Sequence, residues 1–147
     1  MRFIFSITKN NVIGVGDKLA CPIPHDLKWF RMNTFNSTVI MGYNTFKSLN
    51  FKPLKNRTNL IVTSRPLNIQ TIKVDDIPKS DAWVIGGAKL FESIVKPGDI
   101  MYLTHIDVEI YHEDNVYLKL PKLKLLCKSN MFEHKSKKYY FACYKVV

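Results

Sequence analysis

Twice in this chain a short apolar run ends on glycine and passes straight into a helical pattern. The first is Val39-Ile40-Met41-Gly42-Tyr43-Asn44-Thr45-Phe46, and the second is Val84-Ile85-Gly86-Gly87-Ala88-Lys89-Leu90-Phe91. Apolar runs at 3–7, 38–41, 59–62, 83–85 and 100–106 are equally short and bounded by turn residues, as strands covered on both faces are. Between them, residues 25–34 follow Pro22-Ile23-Pro24 and place Leu27, Phe30 and Thr34 on one helical face. Two shorter helices are expected after Gly42 and after Gly86-Gly87. Beyond residue 118 the pattern changes to two alternating or aromatic segments, 122–128 and 139–147, around a lysine-rich turn at 134–138. The expected fold is α/β: a central mixed, mostly parallel sheet flanked by helices, with a C-terminal antiparallel hairpin closing one edge.

A chain of 147 residues suits a single domain spanning 1–147 and can bury a self-sufficient core. With 46% hydrophobic and 23% charged residues it is ordinary globular material, which excludes disorder. No run approaches the ~20 apolar residues of a membrane span, and the opening strand breaks too early for a secretory signal. A soluble, cytoplasmic protein is expected. Cys21, Cys127 and Cys143 form no close pair in sequence, which argues against a disulfide framework or a zinc site and fits a reducing compartment; no metal is expected. Asn36-Ser37-Thr38 and Asn56-Arg57-Thr58 match glycosylation sequons and are read as chance.

The formal charge of +10 is uneven. Residues 1–117 carry 14 basic and 11 acidic groups, net +3, whereas 118–147 carry 8 lysines and only Glu133, net +7. That balance suits an anionic partner, whether a phosphorylated cofactor, a carboxylated substrate or nucleic acid, although a solvated lysine-rich hairpin accounts for it as well.

Three strand ends point to anion binding. Glycine allows close backbone approach, and the N–H groups of a helix start attract phosphate. Both strand–glycine–helix units have this form, and Thr63-Ser64-Arg65 adds hydroxyls and a cation after a third strand. Asp26 opens the amphipathic helix beside Leu27 and one turn before Phe30. An acid there is often a helix-dipole partner worth about 0.3–1 kcal/mol. Its apolar neighbours point instead to a carboxylate in a hydrophobic pocket, where desolvation raises the pKa and two hydrogen bonds can hold an amidine-like heterocycle edge.

These residues, in this order, resemble the dihydrofolate reductase family along nearly the whole chain. Asn11-Val12-Ile13-Gly14 resembles the family's V-I-G signature, and Pro24-His25-Asp26-Leu27-Lys28-Trp29-Phe30 its P-x-D-L-x-W-F pattern. Residues 39–49 match V-I-M-G-x-x-T-[WF]-x-S-[IL]; residues 53–59 match P-L-x-x-R-x-N; Val84 to Ala88 match V-I-G-G-[GA]; and Tyr102-Leu103-Thr104-His105-Ile106 completes the series. The resemblance implies reduction of dihydrofolate to tetrahydrofolate by hydride transfer from NADPH, in one-carbon and thymidylate metabolism, with antifolates as further ligands of a monomer.

By the same resemblance, Asp26 and Thr104 are the catalytic pair. Ile4, Phe5, Leu27 and Phe30 wall the pteridine, Leu49 and Leu54 surround the benzoyl group, and Arg57 takes the substrate's α-carboxylate through its planar fork. Ser6, Ile13, Gly14, Leu19, Gly42, Tyr43, Asn44, Thr45, Thr63, Ser64, Arg65, Ile85, Gly86, Gly87, Ala88, Lys89 and Leu90 are the implied cofactor set. Within it, Ser64 and Arg65 face the 2′-phosphate, favouring NADPH over NADH, and the two glycines meet through a cis peptide. Residues 10–24 form the closing loop. The chain departs from the pattern at Cys21-Pro22, where most members carry a tryptophan, and at Tyr43-Asn44, where basic groups often meet phosphate and Lys89 and Arg65 compensate. The connection from Lys73 to Trp83 is short, and its usual helix is trimmed. Two other readings stand beside this one: a related NADPH-dependent reductase of the riboflavin-pathway type, and a basic binding or structural module, with nucleic acid its less favoured partner.

Overall fold

Buried side chains on both sides of the first strand force covering layers on both sides of the sheet. In the computed structural model, which describes residues 1–78 and 81–147, β1 (Arg2–Thr8) buries Phe3, Ile4, Phe5 and Ile7. There follow β2 (Val12–Val15), β3 (Lys18–Leu19), α1 (Pro24–Thr34), β4 (Thr38–Gly42), α2 (Tyr43–Ser48), β5 (Thr58–Val62) and β6 (Thr71–Ile72). After a 3₁₀ turn at Val74–Asp76 come β7 (Ala82–Gly86), α3 (Ala88–Ile94), β8 (Ile100–Ile106), β9 (Asn115–Tyr117), β10 (Leu123–Lys128), β11 (Phe132–His134) and β12 (Lys137–Val146).

The main sheet runs β10-β12-β8-β1-β7-β4-β5-β6, with β11 also on β12. From β8 to β6 every neighbour is parallel, and β12 joins β8 antiparallel, so the sheet is mixed as expected. Strand alternation sorts the core. Phe3 and Phe5 pack edge-to-face on Phe91 of α3, with ring centroids at 4.9 and 5.5 Å. On the opposite face Ile4, Val39, Met41, Ile61 and Trp83 lie under α1 and α2, joined by Phe46 of α2 and by Trp29 and Phe30 of α1. A third cluster, Cys21, Ile23, Ile106, Tyr139 and Phe141, ties the start of α1 to the C-terminal strands. No helix of the described residues is long and apolar enough to cross a membrane.

All five expected strands and three expected helices form. The C-terminal hairpin also forms, but its outer arm is split: β10 pairs with one end of β12 and β11 with the other. Lys135 and Ser136 make the tight turn, both with positive φ, which suits the twist of a two-residue hairpin. The small sheet β3-β2-β9 and the two-residue β6 go beyond what the periodicity shows. The trimmed connection from Lys73 to Trp83 holds only the 3₁₀ turn; Lys79 and Ser80 within it lie outside the described residues.

Candidate active site

Pro24 opens α1, where its missing N–H costs nothing, and Asp26 therefore falls in the first turn. The helix rests on the strand face that carries Ser6 and Thr104, which are register partners on β1 and β8. Thr104, 1% exposed, donates its hydroxyl to Asp26 Oδ1 at 2.6 Å. Burial pushes the Asp26 carboxyl above its ordinary value; the Thr104 hydrogen bond, the charge of His25 and the Ser6 hydroxyl oppose this with smaller effect. The outcome is an acid that keeps its proton to higher pH than a free carboxylate. Ser6, assigned to the cofactor from the resemblance, also stands against this carboxyl.

Ile4, Phe30, Leu49, Leu54 and Ile85 join one apolar cluster beside this acid. Phe5 does not. Strand alternation turns its side chain to the other face, where it packs on Phe91, so it cannot share a wall with Ile4. The helical face also differs from the expectation. Asp26 and Thr34 are the buried residues of α1, four residues on either side of the half-buried Phe30, while Leu27 is 47% exposed at the rim. Trp29 stacks on Phe141 at 4.5 Å between centroids, and its Nε1 is buried with no protein acceptor among the described residues. Cys21, at the family's tryptophan position, is a buried wall residue beside Ile23.

Beyond Leu49 and Leu54 the site opens into a cavity of about 450 Å³ lined also by Arg31, Lys52, Pro53, Lys55, Asn56 and Arg57, none of them acidic. Arg57 Nη1 donates to Thr34 Oγ1 at 3.1 Å and Nε to the Lys55 carbonyl at 2.9 Å. These bonds fix the plane of its guanidinium. Burial and the nearby Arg31 lower its pKa, yet a guanidinium keeps its charge in proteins. Asn59, buried, shapes the loop by accepting from Leu54 N–H and donating to the carbonyls of Leu54 and Arg57, each at 3.0 Å. It lies inside the P-L-x-x-R-x-N motif and is a supporting residue that the motif alone does not reveal.

The second half of the site comes from the parallel pairing of β4 with β7. It sets Gly42, which caps α2, close to Gly87, which caps α3; a Cβ on Gly42 would lie 3.9 Å from Gly87 N. Gly86 has φ +153° and a Cβ there would meet Thr45 Oγ1 at 2.7 Å, so only glycine fits. The Gly86–Gly87 peptide is cis, as the resemblance implied. Neither helix start has a side-chain cap or an acid in its first turn. Arg65 lies over the Tyr43 ring at 4.1 Å, which carries its cation to the place where Tyr43 stands, and Thr63 Oγ1 accepts from Arg65 N–H at 3.1 Å. Ser64, Asn44 and Lys89 are exposed, and Ala88 begins α3. A bare glycine floor, free N–H groups and a held cation fit a phosphorylated dinucleotide such as NADPH.

Ile13, Gly14 and Leu19 come together on the small sheet, where Gly14 pairs with Leu19. The Leu90 side chain is buried in the core beside Phe91, so only its backbone, in the first turn of α3, is left for a cofactor. Two residues outside the expected site set stand beside Asp26. His25 Nδ1 and the Tyr139 hydroxyl are 2.9 Å apart, and Phe132, Tyr139 and Phe141 surround the imidazole edge-on. His25 was visible in the motif; Tyr139, 114 residues away, carried no signal.

Comparison with known proteins points to one family. A family model described as dihydrofolate reductase matches residues 1–146. The dihydrofolate reductase of Buchnera aphidicola subsp. Acyrthosiphon pisum is 35% identical over 75% of this chain and 74% of that protein. That of Haemophilus influenzae is 34% identical over 73% and 72%, and that of Bacillus subtilis 36% over 77% and 70%. The fold is shared with dihydrofolate reductase from Enterococcus faecalis complexed with NADP(H) and RAB-propyl, at a TM-score of 0.83 and 24% identity, covering 98% of this chain and 94% of that one. The chain belongs to the dihydrofolate reductase family.

Proposed function

We infer that this protein reduces dihydrofolate to tetrahydrofolate with NADPH, and that Asp26, held by Thr104 in a buried apolar wall, is the group on which the chemistry turns. When bound, NADPH supplies the hydride to the pteridine. The chain does the rest. Asp26 hydrogen-bonds the pteridine's amidine-like edge and, through its raised pKa, keeps a proton available for the neighbouring imine nitrogen. Thr104 orients that carboxyl. Ile4, Phe30 and Leu27 flank the ring, and Leu49 and Leu54 the benzoyl group. Arg57, in a cavity without acids, takes the α-carboxylate of the substrate tail through two parallel hydrogen bonds.

Gly42, Thr45, Gly86, Gly87 and Ala88 let the cofactor approach the backbone at the two helix starts. Ser64 and Arg65 meet its 2′-phosphate, with Tyr43 bracing the guanidinium. The flap of β2 and β3, with Ile13, Gly14 and Leu19, closes over the nicotinamide end and excludes water. Antifolates that mimic the pteridine edge compete for Asp26. The enzyme works as a monomer in the cytoplasm: its cysteines are free, and Lys124 and Lys128 on the open edge strand β10 disfavour edge-to-edge pairing.

A riboflavin-pathway substrate would leave both the Asp26 pocket and the Arg57 cavity without a task. The test is loss of reduced-nicotinamide absorbance on mixing the protein with NADPH and dihydrofolate, with NADH as control. Turnover with NADPH that an antifolate blocks supports the inference; binding of NADPH without turnover overturns it.

A further inference from the structure

Cys127 on β10 and Cys143 on β12, distant in sequence, stand directly opposite each other in the antiparallel ladder. Opposed residues in such a pair have Cα atoms about 4.5 or 5.5 Å apart, inside the ~4.4–6.8 Å that a disulfide spans. Both are free thiols, Cys127 exposed and Cys143 half-buried. The register shifts between Leu125 and Cys127, so a bulge lies next to the pair on a strand with one free edge, where the backbone can adjust. The two sulfurs also sense one another. Burial pushes the Cys143 thiol up, Cys127 pushes it further, and the Tyr102 hydroxyl on β8 opposes them.

We propose that Cys127 and Cys143 form a modification site, a cross-strand dithiol that a low-molecular-weight disulfide such as oxidised glutathione converts to an intramolecular disulfide. The exposed Cys127 thiolate attacks one sulfur of the oxidant, forming a mixed disulfide and releasing one glutathione thiolate. The Cys143 thiolate then attacks the Cys127 sulfur and releases the second. Two protein thiols lose two electrons and two protons, and one glutathione disulfide becomes two thiols. Cys127 reacts first because it is accessible and Cys143 is held as the thiol.

The bond has a structural consequence. It closes a loop from 127 to 143 that contains β11 and its turn, and with them Phe132, Tyr139 and Phe141, the three rings around His25. His25 adjoins Asp26. In the same register row Cys143 faces Tyr102, and Tyr102 faces Ile4 of the pteridine wall. Oxidation therefore staples the hairpin that backs the N-terminal turn of α1. In a reducing compartment such a bond is transient and follows the thiol poise.

The experiment equilibrates the purified full chain with glutathione buffers from fully reduced to strongly oxidising, blocks remaining thiols by alkylation and maps them by peptide mass. The expected result is a monomer lighter by two hydrogens, with the Cys127 and Cys143 peptides joined, Cys21 still a thiol, and full reversal by dithiothreitol. A loop of this length should raise the melting temperature by about 5–10 °C on oxidation, a rise absent in Cys127→Ser and in Cys143→Ser. Glutathione left on Cys127, a Cys127-linked dimer, or two alkylatable thiols in the most oxidising buffer would overturn the proposal.

Discussion

The Thr104 hydroxyl reaches Asp26 Oδ1 across 2.6 Å and so locks the central strand β8 to the first turn of α1 with both groups out of water. Thr104 is a donor here, and a donor stabilises the ionised carboxylate. Burial outweighs it, and Asp26 titrates above the ordinary range. Its folded-state pKa thus exceeds its unfolded one, so the folded protein holds this proton longer. Stability from this group is fully present below the unfolded value, about pH 4, and is lost as pH rises through the folded value.

Asp26→Asn removes that penalty. At neutral pH the variant should melt at a higher temperature than the wild type, with the gain vanishing below about pH 4. Turnover should fall by roughly 10²–10⁴-fold, the usual worth of a positioned acid. Calorimetry across pH, paired with steady-state rates on the same samples, checks both halves; a variant that is both less stable and fully active would contradict the assignment.

Thr104→Val keeps the shape and deletes the donor. The carboxyl then loses a hydrogen bond to its charged form, and its pKa should move further up. The alkaline decline of activity should shift to higher pH, with an unfolding cost of about 1–3 kcal/mol for the partner left unpaired. Denaturant titration and a pH–rate profile measure the two effects.

Arg57→Lys retains charge but cannot make the planar double contact, and it gives up the bond to Thr34. The Michaelis constant for dihydrofolate should rise by about 10–100-fold, with the maximal rate changed only a few-fold, as expected of binding far from the reacting atoms. A collapse of the maximal rate at unchanged Michaelis constant would place Arg57 elsewhere in the mechanism.

Arg65→Gln should erase most of the preference for NADPH over NADH, by about 10–100-fold, chiefly through weaker NADPH binding. Tyr43→Leu, which removes the ring beneath the guanidinium, should do the same more weakly, because an exposed cation–π contact is worth about 0.5–1 kcal/mol. Fluorescence titration with both cofactors separates these outcomes from a loss of folding.

Gly86→Ala places a methyl 2.7 Å from Thr45 Oγ1 at a backbone angle that disfavours a side chain. NADPH affinity should drop at least tenfold, together with a lower melting temperature. Gly98→Ala, also at positive φ but with open space around it, should cost stability while leaving affinity alone.

The central sheet was legible because each buried strand reads as an apolar run and two of them end on glycine before a helix. The small sheet was not: Val12 pairs with Tyr117 across a hundred residues, in strands of four and three residues that have no periodicity to read. Asp26 stood out by its apolar company. Its bond to Thr104 spans 78 residues and came only through family resemblance. Side-chain direction was the weakest inference. Phe5 follows the two-residue alternation of β1 to the face opposite Ile4, and Leu27 sits one position beyond the buried stripe of α1. Tyr139 beside His25, and Cys127 facing Cys143, arise from pairing in the C-terminal strands, which composition cannot express.

The most direct test of the account is the rate of hydride transfer in a single turnover, measured from acid to alkaline pH in the wild type and in Asp26→Asn, with NADPH and dihydrofolate both saturating. The wild-type rate should fall as pH rises through the raised pKa of Asp26, and the variant should be slow with that titration gone. A variant that transfers hydride at the wild-type rate, or keeps the same titration, would contradict the role of Asp26.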